Sequence, residues 1–270
     1  MTETTTEKTP LEGFIGVSRD FLRKVPYMSS SVAKVMLLPL AYIRYTKTYN
    51  YNFVEIDKEE LRNFMYVKES YKKKKSNFNA YLDENLRKAC DIKVDDIYIL
   101  DGYRIDDYML YIQYNQEALR KFFEGLKTKE SGYISIFAPD LAKIDGMYTW
   151  QLMKMLYLSG DTRKIKSVYK RSGHAEMPTL RKDLGLGPNE YIRVNGILDR
   201  TRFENRVLTA SLKEIAELKQ FLIFSTVNTK MDEQLFFKTY FQSVLGRKPA
   251  VKEYKIIFHL YGPKDKVFEN

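Results

Sequence analysis

Cysteine is nearly missing from this 270-residue chain. One thiol, Cys90, excludes an internal disulfide and any multi-cysteine zinc site. Its place on an apolar helical face makes it a small core residue rather than a nucleophile. Histidine is almost as scarce. His174 and His259 are far apart and lack ligand-like spacing. That rules against the paired-histidine metal site of a rolling-circle nuclease, despite 21 tyrosines. No G-x-x-x-x-G-K-[ST] loop occurs, and LGLGPNE supplies glycines without a phosphate lysine. The acid-rich DDIYILDGYRIDD fits no hard-cation loop and reads as solvated turn carboxylates. No apolar run approaches the ~18 residues of a membrane span. The polar MTETTTEKTP has no apolar region of the kind a secretion signal needs. The expectation is a cytoplasmic protein with no enzymatic activity, metal or cofactor.

Acidic residues are in deficit too. Asp and Glu number 35 against 45 Lys and Arg, a formal charge of +10. Such an excess is a footprint of polyanion binding.

Residues 1–12 read as a disordered tail. From Ser31, VAKVMLLPLAYIRYT has helical spacing with an irregularity at Pro39. NFVEI is extended and leads to Asp57, which caps KEELRNFM with Glu60 three residues on. Beyond the basic run Lys72 to Lys75, SNFNAYLDENLRKACDI carries a core stripe of Phe78, Leu82, Leu86 and Ala89. Two extended segments, DIYIL and YMLYIQY, follow around the turn-like DGYRIDD. The second half repeats this order. SGYISIF is extended, GMYTWQLMKMLYLS is helical, LRKDLG is a short helix and residues 201–218 a longer one. FLIFST and YKIIFHLY are strands. Helix, short helix, longer helix and two-stranded ribbon make the plan of a winged helix. The expected fold is therefore α+β: two tandem winged-helix domains related by internal duplication, 13–127 and 128–263. Their boundary is expected in the polar stretch 125–132, and 264–270 forms a tail.

The longer helix of the second half, RTRFENRVLTASLKEI, has two faces. Phe203, Val207, Leu208, Ile215 and Leu218 gather on one side with Ser211, at ~100° per residue. Arg202, Arg206, Thr209 and Lys213 fall on the other, with Asn205 beside them, and Glu204, Glu214 and Glu217 lie at the margins. A polar face of this kind is ordinarily solvated surface. The duplication supplies a second reading. In a helix-turn-helix the last helix enters the major groove with its N-terminal residues at the base edges. Arg200, Arg202, Asn205 and Arg206 stand there, and Arg and Asn can contact guanine and adenine bidentately. Double-stranded DNA is the expected partner. The matching helix of the first half turns Asp83 and Glu84 outward, where they would repel phosphates. Its positive charge comes earlier, in Lys72, Lys73, Lys74 and Lys75 beside Asn77. That run is either a solvated loop or a phosphate contact. The second half thus reads bases, while the first grips backbone, another protomer, or both.

The second half also resembles the Rep initiators of iteron-containing plasmids, a family of two winged-helix domains. The resemblance is carried by YTWQLMKMLYL, LRKDLGL, Tyr191, FENRVLTASLKEI and a ribbon ending in YKIIFHLY. It covers 131–261, with a weaker echo over 30–125. It implies that the second domain binds directly repeated origin sites, with Arg202, Asn205 and Arg206 as base-reading positions. It also implies a first domain that supports dimerisation, a homodimer in equilibrium with monomer, and host partners such as helicase-loading proteins. Monomers would start replication and dimers would repress the initiator's own gene. Two features depart from the family pattern. The link IRVNGILDRTR is longer than usual. The second wing is interrupted by residues 227–252, where Leu235, Phe236, Phe237, Tyr240, Phe241, Val244 and Leu245 suggest an extra amphipathic helix. That helix would pack on its own domain or dock a protein, and Arg247, Lys248 and Lys252 could touch phosphates. A winged-helix transcriptional regulator without a replication role, and a protein–protein scaffold, remain as alternatives.

Overall fold

The structure is a computed structural model, and it describes residues 10–45, 52–65, 77–123, 133–158, 161–165, 168–218, 240–243 and 254–261. The chain forms two compact units. The first comprises Met1–Pro26 and Ser31–Lys143, the second Tyr27–Ser30 and Ile144–Asn270.

The first unit begins with a 3-10 turn, Pro10–Glu12, whose Leu11 is wholly buried. The expected tail therefore does not reach residue 12: an apolar side chain with a place in the core fixes the chain there. Strand β1 (Phe14–Ser18) leads to α1 (Arg19–Lys24), where the Ser18 hydroxyl accepts the Phe21 amide at 3.4 Å as an N-cap. Helices α2 (Ser30–Leu37) and α3 (Leu40–Tyr45) part at Pro39, as its missing N–H requires. Then come β2 (Phe53–Asp57) and α4 (Lys58–Met65). The Asp57 carboxylate accepts the Glu60 amide at 2.8 Å, so the cap read from the sequence is present. Helix α5 (Phe78–Cys90) buries Phe78, Leu82, Leu86 and Ala89, the expected stripe.

Strands β3 (Lys93–Val94) and β4 (Ile97–Tyr98) pair as a short hairpin through Asp95 and Asp96, both at positive φ. Strands β5 (Leu100–Ile105) and β6 (Met109–Tyr114) complete an antiparallel sheet in the order β2-β6-β5. Here the structure corrects the expected ribbon. DGYRI is strand, and the turn is only the three residues Asp106 to Tyr108. Cross-strand contact holds the strand in place: the Arg104 guanidinium lies 4.2 Å from the Tyr111 ring centre, and Tyr103 donates to Asp83 at 2.7 Å. Helix α6 (Gln116–Phe123), β7 (Tyr133–Phe137) and α7 (Ala138–Lys143) close the unit. Strand β7 pairs antiparallel with β1, from Phe14 opposite Phe137 to Ser18 opposite Tyr133. SGYISIF thus belongs to the first unit, and the units divide after Lys143 rather than within 125–132.

The second unit contains α8 (Thr149–Leu158), β8 (Asp161–Ile165), β9 (Val168–Glu176) and α9 (Met177–Asp183). A longer helix follows in three pieces: α10 (Arg200–Phe203), a π-helical stretch Glu204–Thr209 and α11 (Ala210–Ala216). Strands β10 (Tyr240–Ser243) and β11 (Tyr254–Tyr261) join β8 and β9 in an antiparallel sheet ordered β10-β11-β9-β8. Two expectations change. The β8–β9 hairpin was not foreseen, because DTRKI and VYKRSGHAE lack the apolar alternation that marks a strand. Tyr240 and Phe241, expected in an extra helix, lie in β10, where main-chain pairing with Ile257 and Ile256 sets the backbone. FLIFST, the rest of 227–252 including Arg247, Lys248 and Lys252, and the tail 264–270 lie outside the described residues. No helix among the described residues is long and apolar enough to cross a membrane.

Candidate nucleic-acid interface

The two-faced helix of the second unit is built from its start. Asp199 precedes it and supplies both cap contacts. Its carboxylate accepts the Arg202 amide at 3.3 Å and its carbonyl accepts the Phe203 amide at 2.9 Å. Phe203, Val207, Leu208, Ser211, Leu212, Ile215 and Leu218 are buried. Arg202, Asn205, Arg206 and Lys213 are exposed, and Thr209 is half-buried. The donor row and the apolar row thus lie on opposite faces, as their spacing requires. Arg200 opens α10. Among the described residues no carboxylate is paired with the guanidinium of Arg202 or Arg206. The donors run through the π-helical stretch, a widened turn often found at functional sites.

Three anchors hold this helix. The Glu214 carboxylate accepts the amides of Asp145 at 2.5 Å and Gly146 at 3.0 Å, and the Thr149 hydroxyl besides. It thereby ties α11 to the start of α8. Gly146 must be glycine there, since a β-carbon would meet Thr149 Oγ1 and stand 2.9 Å from Glu214 Oε2. Ser30 completes the joint: its hydroxyl donates to the Gly146 carbonyl at 2.5 Å and accepts the Trp150 amide at 3.1 Å.

The second anchor is Tyr191, which takes a φ of +60° and sets its ring edge-on to Phe203 at 5.8 Å. The Arg202 guanidinium lies 5.8 Å from the same ring, within cation–π range. Arg181 is the third. Its buried guanidinium donates to the carbonyls of Glu190 at 2.7 Å, Pro188 at 3.2 Å and Gly187, fixing the link between α9 and α10. Burial lowers the Arg181 pKa, which Glu190 nearby opposes. By helical spacing Glu214 falls at a margin of the helix, and both Glu214 and Arg181 enter the sequence reading only as parts of the stretches that carry the family resemblance. Neither stands out by local pattern, because both act on chain distant from the helix surface.

The corresponding helix of the first unit is chemically different. Asp83 pairs with Arg87 at 2.9 Å and Glu84 with Lys88 at 2.7 Å, one helical turn apart. The Tyr103 hydrogen bond, assisted by Arg87, holds the Asp83 carboxyl below the usual range. The acids face outward as expected, yet their charge is balanced on the same helix. Asn77 is exposed at the helix start and makes no capping bond with its side chain. Lys72, Lys73, Lys74 and Lys75 lie outside the described residues. Cys90 is half-buried, and burial, with Asp91 beside it, pushes its thiol up. No three His, Cys, Asp or Glu side chains come together as a metal site among the described residues.

No family model matches this chain, and no curated protein matches it in sequence. In fold it matches a solved structure of the Pi initiator protein in complex with iteron DNA. The TM-score is 0.63 and the identity 14%, over 94% of this chain and 99% of the other. The chain shares the α+β fold of that structure. The likeness spans nearly the whole length of both molecules, so it includes both units and not only the two-faced helix. At this identity it is a likeness of architecture, and side-chain chemistry rests on the residues described above.

Proposed function

We propose that this chain is a replication initiator of the plasmid type, which binds repeated double-stranded sites at an origin through two winged-helix units. The helix of the second unit lies in the major groove, where Arg202, Asn205 and Arg206 read base edges. Thr209, Lys213 and the start at Arg200 lie along the phosphate wall. The first unit grips backbone through Asn77 and Lys72 to Lys75, and supports a homodimer in equilibrium with monomer. Arg247 and Lys248 add phosphate contacts at the second wing. Bound in series, the chains bend the DNA, which strains flexible A·T-rich steps and helps the origin open. Host helicase-loading proteins then join. The protein works in the cytoplasm, away from membranes, and without catalysis or cofactor, also repressing its own gene.

One observation carries this reading. A row of exposed Arg and Asn side chains, with no acid paired to the arginines among the described residues, backs onto a fully buried face in a chain that shares the fold of an initiator solved with iteron DNA. The test is a gel-shift titration of the purified chain on duplex from beside its gene, paired with transformation of a replicon carrying gene and site. A ladder of complexes, one per repeat, together with autonomous replication supports the reading. Specific binding without replication would make the chain a transcriptional regulator. With Mg²⁺ and NTP present the chain is expected to leave DNA unnicked and nucleotide intact; a covalent tyrosine–DNA adduct would contradict it.

A further inference from the structure

The link between α9 and α10 is not a slack loop. Ile192 and Leu198 form an antiparallel bridge, and the Asp199 amide donates to the Tyr191 carbonyl at 2.7 Å. Above them the Arg193 amide donates to the Ile197 carbonyl and the Gly196 amide to the Arg193 carbonyl, each at 2.8 Å. Gly196 takes the φ of +75° that this turn needs, and the Asn195 side chain accepts the Ile197 amide at 3.2 Å. The result is a small closed hairpin. Leu198 is buried at its root, whereas residues 193–196 at its tip are all exposed.

Two details give the hairpin a direction. The first is Val194, whose 111% relative exposure means that it touches nothing in the fold. Turn tips ordinarily carry Gly, Asn, Asp or Ser. A β-branched apolar residue there gains no packing within the fold. The second is Asp199. Its Oδ1 both caps the Arg202 amide and pairs with the Arg193 guanidinium at 3.4 Å. One carboxylate thus fastens the hairpin to the first turn of the two-faced helix and neutralises itself against Arg193. The tip residues 193–196 include no acid.

We propose that the hairpin of residues 192–198 is a second DNA contact, which grips the sugar–phosphate strand bordering the groove that the helix enters. This rests on the DNA-binding reading above and extends it. If the helix start reaches base edges, a rigid hairpin joined to that start meets the groove wall. Val194 then packs on deoxyribose, and the side-chain amide of Asn195 faces phosphate, while Arg193 stays paired with Asp199. Such contacts fix register without reading sequence.

The test uses the full chain with Val194→Asp and Val194→Lys, judged against Arg206→Ala on a specific duplex and a scrambled one. Val194 is free of contacts, so both of its variants should melt as wild type does. Val194→Asp should weaken specific and scrambled binding alike, by about 10-fold, as charge repulsion at a phosphate wall does. It should also shorten the hydroxyl-radical footprint at one edge. Val194→Lys should bind at least as tightly, with a salt slope steeper by about one. Arg206→Ala should instead lower the ratio of specific to scrambled affinity. Unchanged affinity, slope and footprint in both Val194 variants, with Arg206→Ala impaired, would overturn the hairpin contact and leave the helix reading intact. A loss confined to the specific duplex would overturn the backbone assignment. If wild type binds neither duplex, both readings fall together.

Discussion

The helices Phe78–Cys90 and Arg200–Ala216 bury their apolar faces in the same way and differ on the face turned outward. On the helix of the first unit both outward acids have a cation one turn away, Asp83 with Arg87 and Glu84 with Lys88. The charges close on each other and leave little field. In the second unit the guanidinium groups of Arg202 and Arg206 face outward with no described carboxylate paired to them. Burial therefore says which face packs, and only the pairing of charges says which face is left for a partner. Two similar helices can share a fold and divide its work.

The comparison is broken most forcefully on the side where the helices agree. Phe203→Ala should cost about 3–5 kcal/mol of folding stability, and Leu86→Ala about 2–5 kcal/mol, in urea unfolding. If either is neutral, its apolar face is not the core. Next is the joint that only the second unit has. Glu214→Ala removes a carboxylate accepting two amides and a hydroxyl. A loss of about 1–3 kcal/mol is expected by the same measurement. Glu214→Gln should keep part of it.

On the outward faces, Arg206→Ala should cost about 1–3 kcal/mol in specific DNA binding and nothing in stability. Arg87→Ala, whose charge is already closed on Asp83, should leave specific binding unchanged in the same titration. The smallest effect is a pH dependence. The Asp83 pKa is depressed in the folded chain, by Tyr103 first and Arg87 next. Its contribution to stability is present above the unfolded carboxylate value of about 3.9 and is lost as pH falls through the lower folded value. Asp83→Asn should flatten that part of the acid limb, and an acid limb identical to wild type would remove Asp83 from it.

Much of this contrast was legible in the sequence. Buried rows at Phe78, Leu82 and Leu86, and at Phe203, Val207 and Ile215, repeat at 3.6 residues because each helix has one wet side. Asp57, Pro39 and the short helix before the link also act locally, so they could be read. Strand β7 reads in the sequence as part of the second half because its partner β1 lies at the far end of the first unit, and pairing at that separation leaves no local trace. Strand β9 takes its place through main-chain hydrogen bonds to β11, and β8 through those to β9, with a charged sequence that shows no alternation. The hairpin at 192–198 has a signal in Asn195-Gly196, a turn dipeptide within the link that is longer than the family pattern. The charge pairing on α5 is a matter of rotamers as well as spacing, so the outward acids could be placed and their neutralisation could not.

The central claim is that the exposed row of the second helix reads DNA sequence. Its most direct test is an equilibrium titration of wild type and Arg202→Ala/Arg206→Ala on repeat-bearing and scrambled duplexes from 50 to 200 mM salt. The account predicts that wild type prefers the repeats at every salt and loses roughly 10³-fold or more in affinity across the range. The double variant, equally stable, should bind both duplexes alike. If the double variant keeps the full preference, the row is solvated surface and the reading of bases belongs elsewhere in the chain.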